Sequence, residues 1–229
     1  MIEYLQSGTV NLADWFAVGA VRTNFALNFD YLSTIMALFI VGIDVLVYLY
    51  VIFYIKRNNV QPHFFAYLNL FIFFALILVL SDNLPFAFIG WTGIGLCSYV
   101  LIGFRGEGAH NSDSNISAKQ KALVANVVSD ACFILATCII AIQVGVLNFV
   151  EIEESAQVIA SPDVEIAIIL LVVGAVIKSI LLPLCVWLPS AMRMYKLPLV
   201  LAHAVIMVAV GAYLLVRMNF LYTQWNFYW

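Results

Sequence analysis

Long apolar runs alternate along the chain with short polar breaks. Six runs approach or exceed the ~20 residues that a bilayer requires of a spanning helix. They extend from Tyr31 to Ile55, Phe64 to Leu80, Leu84 to Phe104, Ala118 to Leu147, Val164 to Pro189 and Leu197 to Arg217. Between them fall Lys56-Arg57-Asn58-Asn59, Ser81-Asp82-Asn83, the stretch RGEGAHNSDSNISAKQK and the acidic EIEESAQVIASPDVE. No strand-like alternation competes with helix inside the runs. The two ends, 11–29 and 221–229, are rich in aromatic residues, which settle at membrane interfaces. The pattern predicts an all-α polytopic membrane helix bundle of about six spans. An interfacial segment (1–30) leads it, a transmembrane part covers 31–217, and an aromatic tail covers 218–229.

Composition agrees. Hydrophobic residues make up 65% of the chain and charged residues 10%, against about 45–50% and 25% in soluble domains. The net charge of -3 matters less than where charges lie. Lys56, Arg57, Arg105, Lys119, Lys121, Arg193 and Lys196 follow the first, third and fifth runs, and only Arg22 and Arg217 lie on the opposite side. This bias puts the odd-numbered loops on the cytoplasmic or matrix side and the N-terminus and the acidic loop on the other. Cys97, Cys132, Cys138 and Cys185 lie within or beside apolar runs without the spacing of a metal or redox motif, and read as buried thiols. The N-terminal stretch has no basic region ahead of an apolar one, so no cleavable targeting peptide is expected. Asn115-Ile116-Ser117 has the form of a glycosylation acceptor but falls on the inner side.

A charged side chain at mid-membrane costs ~2.5–3.5 kcal/mol on insertion scales, so each one there is a functional candidate. The informative ones are Asp44 at the centre of the first run, Asp130 in the fourth, Lys178 near the middle of the fifth and His203 early in the sixth. Lys178 has the richest setting. Pro183 cannot donate to the carbonyl of Ser179, and its ring pushes that carbonyl aside, so a helix break is expected just after the lysine. A half-helix ending there points its negative end at the ammonium, while apolar surroundings favour the neutral amine. Such a lysine suits taking up and releasing a proton; the plainer reading is a lysine snorkelling to the interface or held in one structural ion pair. Asp130 is the available anionic partner. His203 could carry a proton onward or simply pack with a hydrogen bond. Asp44 would pair with another subunit or sit in local water. Gly93 and Gly95 have no strand ahead of them and no ribose-binding acid after them, so they are no dinucleotide loop. The small residues Gly90, Gly93, Gly95 and Ser98 instead allow close helix approach.

Four collinear stretches carry a family resemblance. FIGWTGIGLCSYVLIGF (88–104) resembles the FIGWEGxGLxSxxLIGF segment of subunit 5 of NADH:ubiquinone oxidoreductase, respiratory complex I. KALVANVVSDACF (121–133), GAVIKSILLPLCVWLPSAM (174–192) and LAHAVIMVAVGAYLL (201–215) resemble that family's next three motifs in order and spacing, and the run from Leu27 to Leu80 fits the preceding region more loosely. The resemblance implies half of an antiporter-like inverted-repeat fold, with one repeat starting near residue 63 and one discontinuous helix. In it Lys178 would be the channel lysine, Asp130 its anionic neighbour and His203 the relay. The chain would then be a membrane-arm subunit of a proton-translocating NADH:ubiquinone reductase in the mitochondrial inner membrane, its N-terminus on the intermembrane-space side. It would perform no redox catalysis alone. Flavin mononucleotide (FMN), iron–sulfur clusters and ubiquinone are expected on other subunits, with bound phospholipid such as cardiolipin against the chain and no nucleic-acid partner.

The departures from the family are as informative. The glutamate that partners the lysine is Thr92 here, and a hydroxyl can pass a hydrogen bond but cannot hold a charge. Leu181, Ser190, Val127 and Ser129 also replace polar or special residues of the pattern, which suggests an eroded water path. By this alignment the family's first two helices and everything after the eighth are missing. A further polypeptide is therefore expected to complete or cover the fold, and the chain is expected to be unstable alone. Besides a conducting subunit, the residues admit an Mrp-type cation/proton antiporter subunit and a purely structural scaffold.

Overall fold

In the computed structural model the described residues are 8–18, 21–54, 62–103, 113–156, 162–179 and 197–223. Helices dominate: α1 (Tyr31–Tyr54), α2 (Pro62–Leu80), α3 (Leu84–Gly103), α4 (Asp113–Val144), α5 (Phe149–Ala156), α6 (Pro162–Ser179), α7 (Leu197–Arg217) and α8 (Asn219–Thr223). Among the described residues three helices are long and apolar enough to cross a membrane, over Tyr31–Tyr50, Leu84–Leu101 and Gln120–Val144; Phe65–Leu80 and Val205–Arg217 are shorter apolar stretches. The break expected at Pro183 lies outside the described residues.

The start of the chain holds a finding that the helical pattern does not contain. Strands β1 (Gly8–Val18) and β2 (Val21–Phe29) form an antiparallel hairpin with Val10 opposite Leu27 and register shifts between Asn11 and Ala13 and between Asp14 and Phe16. The segment expected only to lie at the interface is thus regular structure. Thr9-Val10-Asn11-Leu12, polar and apolar in alternation, was the signal for it.

The hairpin is tied to the helix ends. Asp30 caps α1 reciprocally: its carboxylate accepts the Ser33 amide and Ser33 Oγ accepts the Asp30 amide, both at 2.9 Å. Asn83 caps α3 by accepting the Phe86 amide at 2.9 Å, and its side-chain amide donates to the Asn24 carbonyl of β2 at 2.6 Å. The Asp82 amide donates to Ala26, Leu84 to Leu147 and Phe149 to Asp82, at 3.2, 3.0 and 3.1 Å. The α2–α3 corner, the α4–α5 corner and the hairpin therefore share one end of the bundle. Gly145 makes the α4–α5 corner possible, because its φ of 79° is a left-handed conformation that side-chain-bearing residues rarely adopt. The acidic loop that follows opens with α5, whose Phe149 and Ile152 are buried.

Packing is centred on α3. A Cβ at Gly90 would stand 2.7 Å from the Phe74 carbonyl oxygen and Leu78 amide nitrogen of α2, so glycine lets the two backbones touch. On its other sides α3 meets α4, which packs on α6, and α6 packs on α7. Trp91, Phe71, Phe133, Ile94, Leu171 and Ile206 are among the fully buried side chains of this interior. The cysteines do not share one environment: Cys97 is buried, but Cys138 is on the outer surface, so the expectation of uniformly buried thiols fails there.

Candidate functional site

The site is assembled where α3, α4 and α6 meet. Lys178, in the last described turn of α6, has a side chain with 0% exposure. Its Nζ lies 3.2 Å from Asp130 Oδ1 on α4. It also donates to the backbone carbonyl of Trp91 on α3 and stands 4.6 Å from the centroid of the Trp91 ring. An ammonium has three donors, and here it finds a carboxylate, a carbonyl and an aromatic face. Asp130 is less enclosed than its partner, with 23% of its side chain exposed.

Trp91 is held in place by a hydrogen-bond chain across all three helices. Its indole N–H donates to Ser129 Oγ at 3.2 Å, and Ser129 Oγ donates to the Gly174 carbonyl of α6 at 2.8 Å. Asn126, one turn before Asp130, donates to the Gly95 carbonyl at 3.3 Å. A Cβ at Gly95 would lie 3.2 Å from Lys178 Nζ, so the missing side chain at that position makes room for the ammonium. Sequence reasoning named Lys178 and Asp130, but did not assign Trp91, Asn126 or Ser129 to their surroundings. Residues whose contribution is a carbonyl, a ring face or a small volume leave no charge in the sequence to mark them.

Thr92 follows the carbonyl that receives the lysine, yet its hydroxyl turns to its own helix and donates to the carbonyls of Phe88 at 3.0 Å and Ile89 at 3.2 Å. Among the described residues Asp130 is the carboxylate that pairs with Lys178. His203 falls in the first turns of α7, residues 197–204, whose side chains lie outside the description, and Pro183 lies outside the described residues altogether. Asp44, on α1, makes no hydrogen bond or ion pair with this group. No group of three or more histidine, cysteine, aspartate or glutamate residues able to hold a metal ion occurs among the described residues.

A second charged group lies at the hairpin end. Arg217, the last residue of α7, pairs with Asp30 and stands 5.2 Å from the Phe149 ring centroid. Burial pushes the Asp30 carboxyl upward, but hydrogen bonds from Ser33 and Arg217 and the guanidinium charge outweigh it and hold the group below the usual carboxylate range. Neighbouring Asp82 goes the other way: burial raises it, opposed by Arg217 and reinforced by Glu151 and Asp30. Asp82 Oδ1 and Arg217 Nε are buried without hydrogen-bond partners.

Residues 81–229 match the family described as NADH:quinone oxidoreductase/Mrp antiporter, TM. The chain belongs to that family. Residues 15–65, which include β2 and α1, match the N-terminal region of complex I chain 5. NADH-ubiquinone oxidoreductase chain 5 of Metridium senile is 37% identical over 215 residues, covering 94% of this chain and 35% of the relative. NADH-quinone oxidoreductase subunit L of Escherichia coli (strain K12) is 37% identical over 211 residues, covering 91% and 34%. Among solved structures, a chain of the Mrp complex from Dietzia sp. DQ12-45-1b superposes with a TM-score of 0.79 at 25% identity, over 93% of this chain and 23% of that one. The oxidoreductase/Mrp antiporter fold is therefore shared along nearly all of the chain, which spans about a third of the length of the curated relatives it matches.

Proposed function

We propose that the chain works in the membrane arm of a proton-translocating NADH:quinone oxidoreductase, with Lys178 and Asp130 on the proton path. The observation that carries this reading is the fully enclosed lysine, paired with a carboxylate at the junction of three helices. An ammonium there is costly to bury, and pairing offsets the cost only with good geometry. Asp130, partly open, is the group that could exchange a proton with water, and His203 is the onward relay. Pro183 would break the helix beyond Lys178. Redox chemistry belongs to FMN, iron–sulfur clusters and ubiquinone on other subunits, which sense or drive this site from a distance. The asymmetry of basic loops supports an orientation with the hairpin end on the outer side, which in the mitochondrial inner membrane of this reading is the intermembrane space, and cardiolipin suits the basic loops of the opposite face.

The engagement of Thr92 with its own helix favours a second reading, in which the position is kept as scaffold while conduction has lapsed. Lys178→Ala in the assembled complex, reconstituted in sealed vesicles, separates the two. The conducting reading expects fewer protons moved per NADH oxidised, with electron transfer retained. An unchanged proton count leaves only the scaffold. Thr92→Glu adds a second arm: a restored carboxylate beside Trp91 should raise the count if the path is intact but weak.

A further inference from the structure

Asp44 takes no part in the site above. It lies near the middle of α1, and one turn further on the same face is Tyr48. The Tyr48 hydroxyl donates to Asn69 Oδ1, midway along α2, at 2.6 Å, and its ring stacks on Phe65 with centroids 5.2 Å apart. An acid, a phenol and a carboxamide thus share the α1–α2 seam at bilayer depth. Asn69 is exposed, and α1 also exposes the apolar side chains of Leu38, Val41, Val45, Leu46 and Leu49. Asp44 is only partly covered, and its Oδ1 is buried with no hydrogen-bond partner.

Nothing described in this chain supplies the missing donor. Lys178 is engaged with Asp130 and Arg217 with Asp30. Acyl chains have no donor to offer, and a lone carboxylate at the helix centre is expensive in hydrocarbon. A second copy packed through the same face would not help either, since α1 and α2 contain no lysine or arginine; it would set one acid against another. The complementary occupant is an apolar helix with a basic side chain at mid-bilayer.

We propose that the α1–α2 seam is a docking surface for a transmembrane helix of another subunit, which places a lysine or arginine against Asp44, with the Asn69 carboxamide as a second contact. The proposal rests on the chain's place in a membrane-arm assembly but not on conduction through Lys178, so its failure is read separately from the proton count. The probe is a photo-crosslinking benzoylphenylalanine in place of Val45 in the assembled complex, with the products mapped by mass spectrometry. The expected adduct lies within one helical turn of a lysine or arginine in a membrane span of a different subunit. Asp44→Leu should lower its yield at least about tenfold, as loss of a desolvated charge pair does. Asp44→Lys combined with an aspartate at the partner's basic position should restore it. Leucine is well tolerated in lipid, so Asp44→Leu remains interpretable if the charge swap fails to assemble. Adducts to lipid alone, to a second copy, or to a span without a basic residue overturn the proposal, as does an unchanged yield in Asp44→Leu.

Discussion

Lys178–Asp130 and Arg217–Asp30 both join a cation late in the chain to an aspartate earlier in it, but they are built for different conditions. The lysine is wholly enclosed, and its other acceptors are a carbonyl and a ring of one residue, Trp91. The arginine keeps 10% of its side chain exposed and Asp30 25%, and that aspartate also caps α1 through Ser33. One pair sits where three helices cross; the other fastens a hairpin and two corners at their ends. A charge buried at a helix crossing adds little net stability and is a poor choice for a fastener. Where the same protein fastens itself, it uses a pair whose cation is not fully enclosed and whose aspartate doubles as a helix cap. The contrast is the physical reason for assigning chemistry to the first group and architecture to the second.

The contrast breaks most severely if Lys178 is left alone. Asp130→Ala should destabilise the chain by about 3–5 kcal/mol, because it strands an enclosed ammonium. Lys178→Met should cost less, since Asp130 is the less enclosed of the two; the thermal midpoints of the two assembled variants test that order. At the other pair, Asp30→Ala removes a charge-assisted hydrogen bond and a cap, for about 1.5–3 kcal/mol, and should loosen the hairpin to protease before it affects α3 or α4. Ser129→Ala, which cuts the link from the Trp91 indole to α6, should cost about 1 kcal/mol, with a shift in the pH profile of proton translocation if Trp91 positions the lysine. The smallest effect concerns pH. Asp82, raised by burial, is penalised at neutral pH, and the penalty is relieved as pH falls toward its folded value. Asp30, held low, keeps its contribution until pH falls below the unfolded carboxylate value. Lowering the pH from neutrality toward the unfolded carboxylate value should therefore slightly raise the thermal midpoint, and Asp82→Asn should flatten that response.

Much of this was legible because the membrane imposes a coarse code. Apolar runs locate the helices to within a few residues, and charges inside them single out Lys178 and Asp130. Arg217 and Asp30 are separated by 187 positions and sit at run ends, where a charge has no special cost, so nothing in the sequence joined them. Trp91 reads as core in any apolar run; its role comes from a carbonyl and a ring face that composition does not reveal. The hairpin was hidden because two register shifts disrupt its alternation, and α5 because a short amphipathic turn inside an acidic stretch resembles a loop.

The most direct measurement sets the two aspartates side by side. Protons moved per electron are counted in sealed vesicles for the assembled complex carrying Asp130→Asn or Asp30→Asn, changes that keep shape and remove charge. The account predicts a lower ratio in Asp130→Asn and an unchanged ratio, with a lower thermal midpoint, in Asp30→Asn. An unaltered ratio in Asp130→Asn, or an equal fall in both, would contradict it.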